Sequence, residues 1–286
     1  MSEAQSNPSP RVLPVRLLEG LGRAVWRPVR ASAGFFAFLG GLSYLLAQTA
    51  RWIGRSAWRA DTRFRGQALA VQMIRVGVRS VPIILLVQIF IGIILALQLA
   101  PTLRDYGQIE RVADVVGIAV FRELGPLITA IVLSGFAGAS IAAEIGSMVE
   151  SEEIKALRAM ALDPIHFLVV PRFLATVLML TGLAVLADVV GAFGGLLTAT
   201  TVLGLSADTY IEYTREALKL RDFLTGLVKA GVFGMLISLI ACWEGLNVSG
   251  GAEGVGRATT QTVVKSIVAL IATDCIFTAV FYAFGW

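Results

Sequence analysis

The stretch that decides the fold is FRELGPLITAIVLSGFAGASIAAEIGSMVESEEIKALRAMALDP, residues 121–164. It opens near a charged pair, continues as a long apolar segment rich in small residues and ends in a short polar segment. Small residues spaced four apart line one face of a helix, which lets two backbones pack closely inside a bilayer. Two such rows are present: Ala130, Ser134, Gly138, Ala142 and Gly146 form one, and Gly135, Ala139, Ala143 and Ser147 form the other. We therefore expect a tightly packed membrane span.

The polar segment after this span predicts a short amphipathic helix over residues 151–162. Ser151 is the expected N-cap, acidic residues fill the first turn, and Asp163–Pro164 ends the helix. Its apolar face indicates docking to a partner protein, although a solvated connector is the simpler structural alternative. The residues expected at the contact with a partner are Glu152, Glu153, Ile154, Leu157, Arg158 and Met160.

Composition places the chain in a membrane. Of its 286 residues, 56% are hydrophobic and only 15% are charged, and its mean hydropathy is +0.77. A soluble domain carries about 25% charged residues, so a soluble globular enzyme is excluded. The net charge of +4 comes from Arg clusters beside apolar runs. This pattern is typical of membrane topology, and we expect no nucleic-acid partner.

The apolar runs predict an all-α integral membrane protein with five transmembrane helices in one domain, residues 81–286. The expected spans are residues 81–103, 124–148, 165–204, 222–243 and 262–284, with a further helix outside the membrane at 206–220. The run 112–149 is too long for one straight crossing, so we expect a break near Gly125–Pro126. A glycine-rich inner loop is expected over residues 245–256. Seventeen of the 24 Lys and Arg residues then lie on the inner side, which places the N terminus in the cytoplasm.

The N-terminal part divides at residue 30. Residues 1–30 contain several Pro and Arg but no apolar signal-peptide core, which indicates a disordered cytoplasmic tail. Residues 31–50 are uncharged but have Arg clusters on both sides. A span would carry one cluster to the outer side, so we favour an interfacial amphipathic helix, followed by a connector up to residue 80.

Several polar residues fall within or beside the predicted spans. Arg122 and Glu123 are adjacent, so on a helix they point about 100° apart and each needs another partner. Lys229 lies at a similar depth and is the expected partner of Glu123, either as a structural ion pair or as part of a rim for a lipid head group. Asp274 lies in mid-span, where a charge is costly, so we expect it to be protonated or bonded to Thr273, Thr278 or a neighbouring helix. His166 is the only histidine, so no metal site is expected.

Four motifs occur in an order that resembles the MlaE/YrbE permease family, the membrane subunits of lipid-moving ABC transporters. They are FRELGP (121–126), GFAGASIAAEIGSM (135–148), EEIKALRAMALDPIHFLVVPR (152–172) and GGAEGVGRATT (250–260). The resemblance covers residues 69 to 286 and implies a homodimer with five spans per subunit and an N-terminal interfacial helix. It also implies cytoplasmic ABC ATPase subunits that grip the short helix as a coupling helix, and an MCE-domain protein on the outer face.

The resemblance further implies a lipid cavity at the dimer interface, in a bacterial inner membrane rather than a plastid envelope. The positions that match the family's cavity are Leu95, Leu99, Thr102, Leu103, Tyr106, Arg122, Glu123 and Lys229. The chain contains no G-x-x-x-x-G-K-[ST] motif, so we expect no cofactor in this chain and ATP and Mg²⁺ in the partner ATPase.

Two functions from other classes compete with a lipid permease. A proton-coupled secondary transporter or efflux protein would use Asp274 and the Arg122–Glu123 pair in proton transfer, but it is typically built from inverted repeats, and no internal repeat is evident. A passive scaffold would not need a charged outer cavity. Copurification with an ATPase distinguishes the permease from both.

Overall fold

The computed structural model describes residues 34, 36–56 and 66–284. The chain divides into two units, residues 1–46 and residues 47–286. In the first unit, residues 36–46 are helical. The tail predicted for residues 1–30 and part of the predicted connector, residues 57–65, lie outside the described residues.

The second unit is helical throughout its described part, apart from short turns, and contains no strand there. Its helices are α1 (47–56), α2 (Gly66–Val76), α3 (Val81–Asp105), α4 (Val112–Ala119), α5 (Gly125–Leu133), α6 (Ala139–Glu150), α7 (Glu153–Ala159), α8 (Val170–Thr201), α9 (Ala207–Ala217), α10 (Leu220–Leu246) and α11 (Gly251–Ala283). Short 3-10 or π-helical segments join several of them.

Five helical segments among the described residues are long and apolar enough to cross a membrane. They are Gly66–Asp105, Ile109–Glu150, Ile165–Thr201, Leu220–Leu246 and Gly251–Ala283, here called the first to fifth spans. The prediction of an all-α integral membrane protein with five spans is confirmed. The helical residues 36–56 are not among the five, and their place in the membrane interface stays a prediction.

The second span does not break at Gly125–Pro126, so that expectation was wrong. A π-helical turn, Val120–Leu124, precedes Gly125, whose N–H donates to the carbonyl oxygen of Val120. In an ordinary α-turn a proline ring clashes with the carbonyl four residues earlier. The wider π turn accommodates Pro126 without ending the helix. With a second π turn at Ser134–Gly138, the span continues as one helix to Glu150.

The first predicted row of small residues is confirmed as a contact face. Its five members, Ala130, Ser134, Gly138, Ala142 and Gly146, are all buried. A side chain added at Gly138 would meet Ile237 of α10 and Thr262 of α11. The second row is different, because Gly135 and Ser147 are exposed. Only the first row packs within this chain.

Glycines also let α3 and α8 approach backbone to backbone. A side chain at Gly92 would collide with the carbonyl oxygen of Gly191, and one at Gly194 would collide with that of Ile89. Such contacts between small residues are how helices gain packing energy where lipid removes the hydrophobic driving force. The first and third spans are therefore locked together at these glycines.

The short helices outside the membrane differ from their predicted bounds. Ser206 caps α9 as expected, since its hydroxyl accepts the backbone N–H of Thr209. Ser151 is not the N-cap of α7: its hydroxyl donates to the carbonyl of Ser147 and it ends α6 instead. Helix α7 follows Glu152, whose left-handed backbone (φ 62°) separates the two helices.

The glycine-rich loop expected over residues 245–256 is largely helical. Helix α10 continues to Leu246 and α11 already begins at Gly251, so only residues 247–250 connect them. Gly250 makes this short connection feasible because its φ of 98° suits glycine alone. The last dozen residues of the third span, which the sequence left open, are helical up to Thr201.

Replacement of Gly92 by alanine should destabilise the protein. The added methyl group collides with backbone, which cannot move aside as a side chain can, and such overpacking costs about 1–3 kcal/mol. We expect a lower midpoint of thermal unfolding in detergent for Gly92→Ala. Gly182→Ala is the matched control, because nothing lies within 4 Å of that position. Equal midpoints for the two variants would contradict the close approach of α3 and α8.

Candidate functional site

The π turn in the second span directs Arg122 and Glu123 to different partners, as their adjacency predicted. A guanidinium nitrogen of Arg122 lies 3.7 Å from a carboxylate oxygen of Asp222, near the start of α10. Glu123 instead contacts Lys229, two turns further along α10, with 2.6 Å between Nζ and Oε2. The expected Glu123–Lys229 pair is confirmed. Asp222 as the partner of Arg122 was not foreseen.

Lys229 is fully buried and binds three oxygen atoms. Its Nζ donates to Oε2 of Glu123 and, at 3.2 Å, to Oγ1 of Thr278. It also lies 2.9 Å from Oδ1 of Asp274. Thr278 completes the ring by donating to Oε1 of Glu123 at 3.1 Å. We call Glu123, Lys229, Asp274 and Thr278 the outer cluster.

Of the alternatives open for Asp274, the structure shows a contact with a neighbouring helix, through Lys229 of α10. Asp274 and Thr278 lie one helical turn apart on α11, so both face Lys229. This spacing was the sequence signal that could have found them. A buried ammonium is costly unless its charge is compensated, and here two carboxylates compensate it. When all three groups are ionised, the outer cluster carries a net charge of −1.

Exposure within the outer cluster is uneven. The side chain of Lys229 is 0% exposed, whereas those of Glu123 and Asp274 are 29% and 15% exposed. The carboxylates therefore stand between the lysine and the open side, and Arg122 beside them is also partly exposed. The set offers hydrogen-bond acceptors and donors side by side at the membrane. Such an arrangement can bind a polar or zwitterionic head group.

The other residues of the predicted lipid cavity lie on α3 or, for Tyr106, directly after it, and they fall into two groups. Leu95, Leu99 and Leu103 are partly buried against a cluster that includes residues of α4. Thr102 and Tyr106 are exposed. Phe121, next to Arg122, packs against the same cluster as the leucines. The single chain thus brings the leucines close to the π turn.

Two cavities are present elsewhere in the second unit. One, of about 440 Å³, lies between α8 and α9, and the other, of about 720 Å³, is lined by residues of α2, α6 and the start of the third span. None of the eight predicted cavity residues lines either of them.

Helix α7 presents only part of its predicted contact surface. Ile154 and Leu157 are buried against the chain itself. Glu152, Glu153, Arg158 and Met160 are exposed, and Lys155 bonds Glu152 at 2.6 Å. This hydrogen bond lowers the pKa of Glu152 below its usual value. Of the six predicted contact residues, a partner could therefore reach the four exposed ones, while the two apolar ones hold the helix in place.

A contact that the sequence did not reveal ties α1 to the segment after α7. The indole N–H of Trp52 donates to Oδ2 of Asp163 at 2.9 Å, and its ring stacks on His166 with 4.6 Å between centroids. The hydroxyl of Ser56 lies 3.4 Å from Nε2 of His166. The single histidine thus joins two elements. A tryptophan and a histidine distant in sequence gave no signal for this contact.

Removal of the ammonium in the outer cluster should destabilise the chain. In Lys229→Met the carboxylates of Glu123 and Asp274 lose their shared partner, and breaking a buried pair on one side costs about 3–5 kcal/mol. We expect a large fall in the midpoint of thermal unfolding in detergent. The triple variant that combines Lys229→Met with Glu123→Gln and Asp274→Asn should recover part of the lost midpoint, because it leaves no unpaired charge. If the triple variant unfolds at the same midpoint as Lys229→Met, the unpaired carboxylates are not the cause of the destabilisation.

Comparison with known proteins identifies the family. A family model described as "Permease MlaE" matches residues 69–280. The "Probable ABC transporter permease protein" of Rickettsia bellii is 37% identical over 211 residues, 74% of this chain and 82% of the relative. "Protein TRIGALACTOSYLDIACYLGLYCEROL 1, chloroplastic" of Arabidopsis thaliana is 35% identical over 74% of this chain and 60% of its own length.

A fourth comparison extends over almost the whole chain. The "Intermembrane phospholipid transport system permease protein MlaE" of Haemophilus influenzae is 31% identical over 272 residues, 95% of this chain and 99% of the relative. These descriptions indicate a transport subunit rather than an enzyme. With five spans and a family match over most of its length, the chain belongs to the MlaE permease family.

Proposed function

We propose that this permease is the membrane subunit of an ATP-driven, ABC-type transporter that moves phospholipid or a related lipid between membranes. The proposal is supported by the descriptions of the relatives, which include an ABC transporter permease and a phospholipid transport permease. It is also supported by the outer cluster, whose partly exposed carboxylates and neighbouring guanidinium suit a lipid head group.

The observation that carries the proposal is the continuity of the second span. This single helix begins at Ile109, carries Arg122 and Glu123 about fourteen residues later, and leads into α7 after Glu150. The 27 residues from Glu123 to Glu150 cover about 40 Å at 1.5 Å per residue, enough to cross the membrane core. A movement of α7 therefore reaches the outer cluster through one connected helix.

The energy source in this proposal is a separate ATPase. The chain has no P-loop motif, so ATP and Mg²⁺ belong to two cytoplasmic ABC ATPase subunits that grip α7. The exposed face of α7 combines charged residues with an exposed Met160, a mixture that suits a groove in a partner protein. Closure of the ATPases on ATP would pull on α7 and shift the second span.

The lipid site in this proposal lies between two copies of the chain. Leu95, Leu99, Thr102, Leu103 and Tyr106 would supply its apolar and aromatic wall, and Arg122, Glu123 and Lys229 its charged rim. Thr102 and Tyr106 are exposed on the single chain, as a wall completed by a second subunit requires. A substrate-binding protein with an MCE domain would receive or deliver the lipid on the outer face.

The proposed location is the inner membrane of a bacterium, with the N terminus and α7 in the cytoplasm. This orientation places 17 of the 24 Lys and Arg residues on the cytoplasmic side, in keeping with the positive-inside tendency. The alternative, a proton-coupled transporter or efflux protein, would use Asp274 and the Arg122–Glu123 pair in proton transfer. The contact of Asp274 with Lys229 counts against it, because Asp274 then serves as a counter-ion rather than as a lone acid.

Neutralisation of Glu123 should impair transport more than folding. Glu123→Gln keeps the shape of the side chain and leaves Asp274 as a counter-ion for Lys229, but it removes a charged acceptor at the head-group rim. Hydrogen bonds to charged groups contribute about 1.5–3 kcal/mol, so ATP-dependent lipid transfer between proteoliposomes should fall at least about tenfold. Glu216→Gln, an exposed change on α9, is the control. Unchanged lipid transfer by Glu123→Gln would contradict the assignment of Glu123 to the charged rim of the lipid site.

A charge on the exposed face of α7 should weaken binding of the ATPase. Met160 is 62% exposed and Ile211, on α9, is 53% exposed, so Met160→Glu and Ile211→Glu make the same change at opposite ends of the molecule. An unfavourable contact at an interface hot spot costs about 2 kcal/mol or more. We expect Met160→Glu to reduce copurification of the ATPase subunits and Ile211→Glu to leave it unchanged. Equal copurification of both variants would argue against α7 as the docking helix.

A further inference from the structure

A second polar cluster lies at the α7 end of the spans, away from the outer cluster. One carboxylate oxygen of Glu144, on α6, lies 2.6 Å from a guanidinium nitrogen of Arg75 on α2. Its other carboxylate oxygen lies 3.1 Å from a guanidinium nitrogen of Arg172 in the third span. Two guanidinium groups thus share one carboxylate, which gives the three side chains a net charge of +1. Arg172 is almost entirely buried and also donates to the carbonyl oxygen of Leu168.

This inner cluster forms one wall of the 720 Å³ cavity. Arg172, Glu144 and Gln72 supply its polar surface, and Val71, Met148 and Phe167 are among the residues of its apolar surface. The volume falls within the range of about 300–1,000 Å³ that is typical of small-molecule sites. A charged end and an apolar side in one groove match the two parts of a phospholipid.

Three polar atoms in the cavity-lining residues are buried without a hydrogen bond: Nε of Arg172, Oε1 of Gln72 and Oε2 of Glu144, although the last lies 3.1 Å from a guanidinium nitrogen of Arg172. Unpaired buried polar atoms are costly, and each calls for an explanation such as a bound water, ion or ligand. Arg172 lacks an acceptor, whereas Gln72 and Glu144 lack a donor. A phosphodiester that also carries an amine or hydroxyl group would supply both once the two side chains rotate towards it.

The depth of the cluster fits a lipid of the leaflet nearest α7. Glu144 precedes the end of the second span at Glu150 by six residues, about 9 Å along the helix. Glu144 and Glu123 are 21 residues apart, about 32 Å, which is close to the thickness of the hydrocarbon core. The cavity therefore opens near the head groups opposite the outer cluster.

We infer that the cavity between α2, α6 and the start of the third span binds the head group of a phospholipid from the leaflet on the α7 side. The phosphate lies against Arg172, the amine or hydroxyl of the head group donates to Gln72, and an acyl chain follows the apolar wall at Val71. This site is distinct from the lipid cavity proposed at the dimer interface. It depends neither on the direction of transport nor on its energy source.

The test is photo-crosslinking of the full-length protein in nanodiscs with a diazirine-bearing phosphatidylglycerol. Adducts on peptides that contain Val71 or Phe167 are compared with adducts on Ile271, an exposed residue of α11. We expect enrichment of adducts at the cavity in the unchanged protein.

The enrichment should fall about tenfold in Gln72→Leu and in Arg172→Gln, because each variant loses a hydrogen bond to the head group. Gln98→Leu and Arg79→Gln, at exposed positions outside the cavity lining, should keep it.

Two further probes identify the chemical group that is bound. A diazirine-bearing diacylglycerol, which lacks the phosphate, should show no enrichment, and an excess of inorganic phosphate should leave the phosphatidylglycerol signal unchanged. Equal labelling by diacylglycerol would overturn the inference in favour of an apolar groove. Loss of the signal with inorganic phosphate would reassign the site to free phosphate. Unchanged labelling in a folded Gln72→Leu variant would show that the cavity holds only water at this residue.

Discussion

The neutralisation of Lys229 is the constraint on which the outer half of the molecule depends. A fully buried ammonium needs compensating charges, and these come from two other elements, the π turn at Glu123 and helix α11 at Asp274. The close approach of α10 makes this feasible: Gly226, one turn before Lys229, lies against the carbonyl oxygen of Phe121 and has no room for a side chain. Backbone packing and charge pairing thus fix the same three helices.

The sequence predicted those features that depend on one helix at a time. Apolar length identified the five spans, fourfold spacing identified the buried face from Ala130 to Gly146, and Ser206 identified the start of α9. The Glu123–Lys229 pair could also be predicted, because adjacent charges on a helix cannot satisfy each other and Lys229 lies at a matching depth. The contact surface on α7 stays a prediction: four of its six named residues are exposed, and Lys155, which was not named, is exposed as well.

Features that depend on how several helices meet could not be predicted. The helix continues through π turns at Val120–Leu124 and Ser134–Gly138 instead of breaking. The first of these turns is wide enough to relieve the clash between the ring of Pro126 and the preceding turn of the helix. The sequence allowed Asp274 a bond to a neighbouring helix but did not identify Lys229 as its partner. Ile154 and Leu157 looked like docking residues, yet the apolar face of a short helix can equally pack on its own chain, as it does here.

The second span emerges as the element that connects both polar clusters. Fourteen residues after the start of the span, Glu123 is held by Lys229 of α10, and near the α7 end Glu144 is held by Arg75 of α2 and Arg172 of the third span. Between them, the buried row of small residues packs against α10 and α11. Sliding this helix past its neighbours would break the buried Lys229 pair at a cost of about 3–5 kcal/mol. A pull on α7 would therefore move the second span together with the helices paired to it, so that both clusters shift in one step.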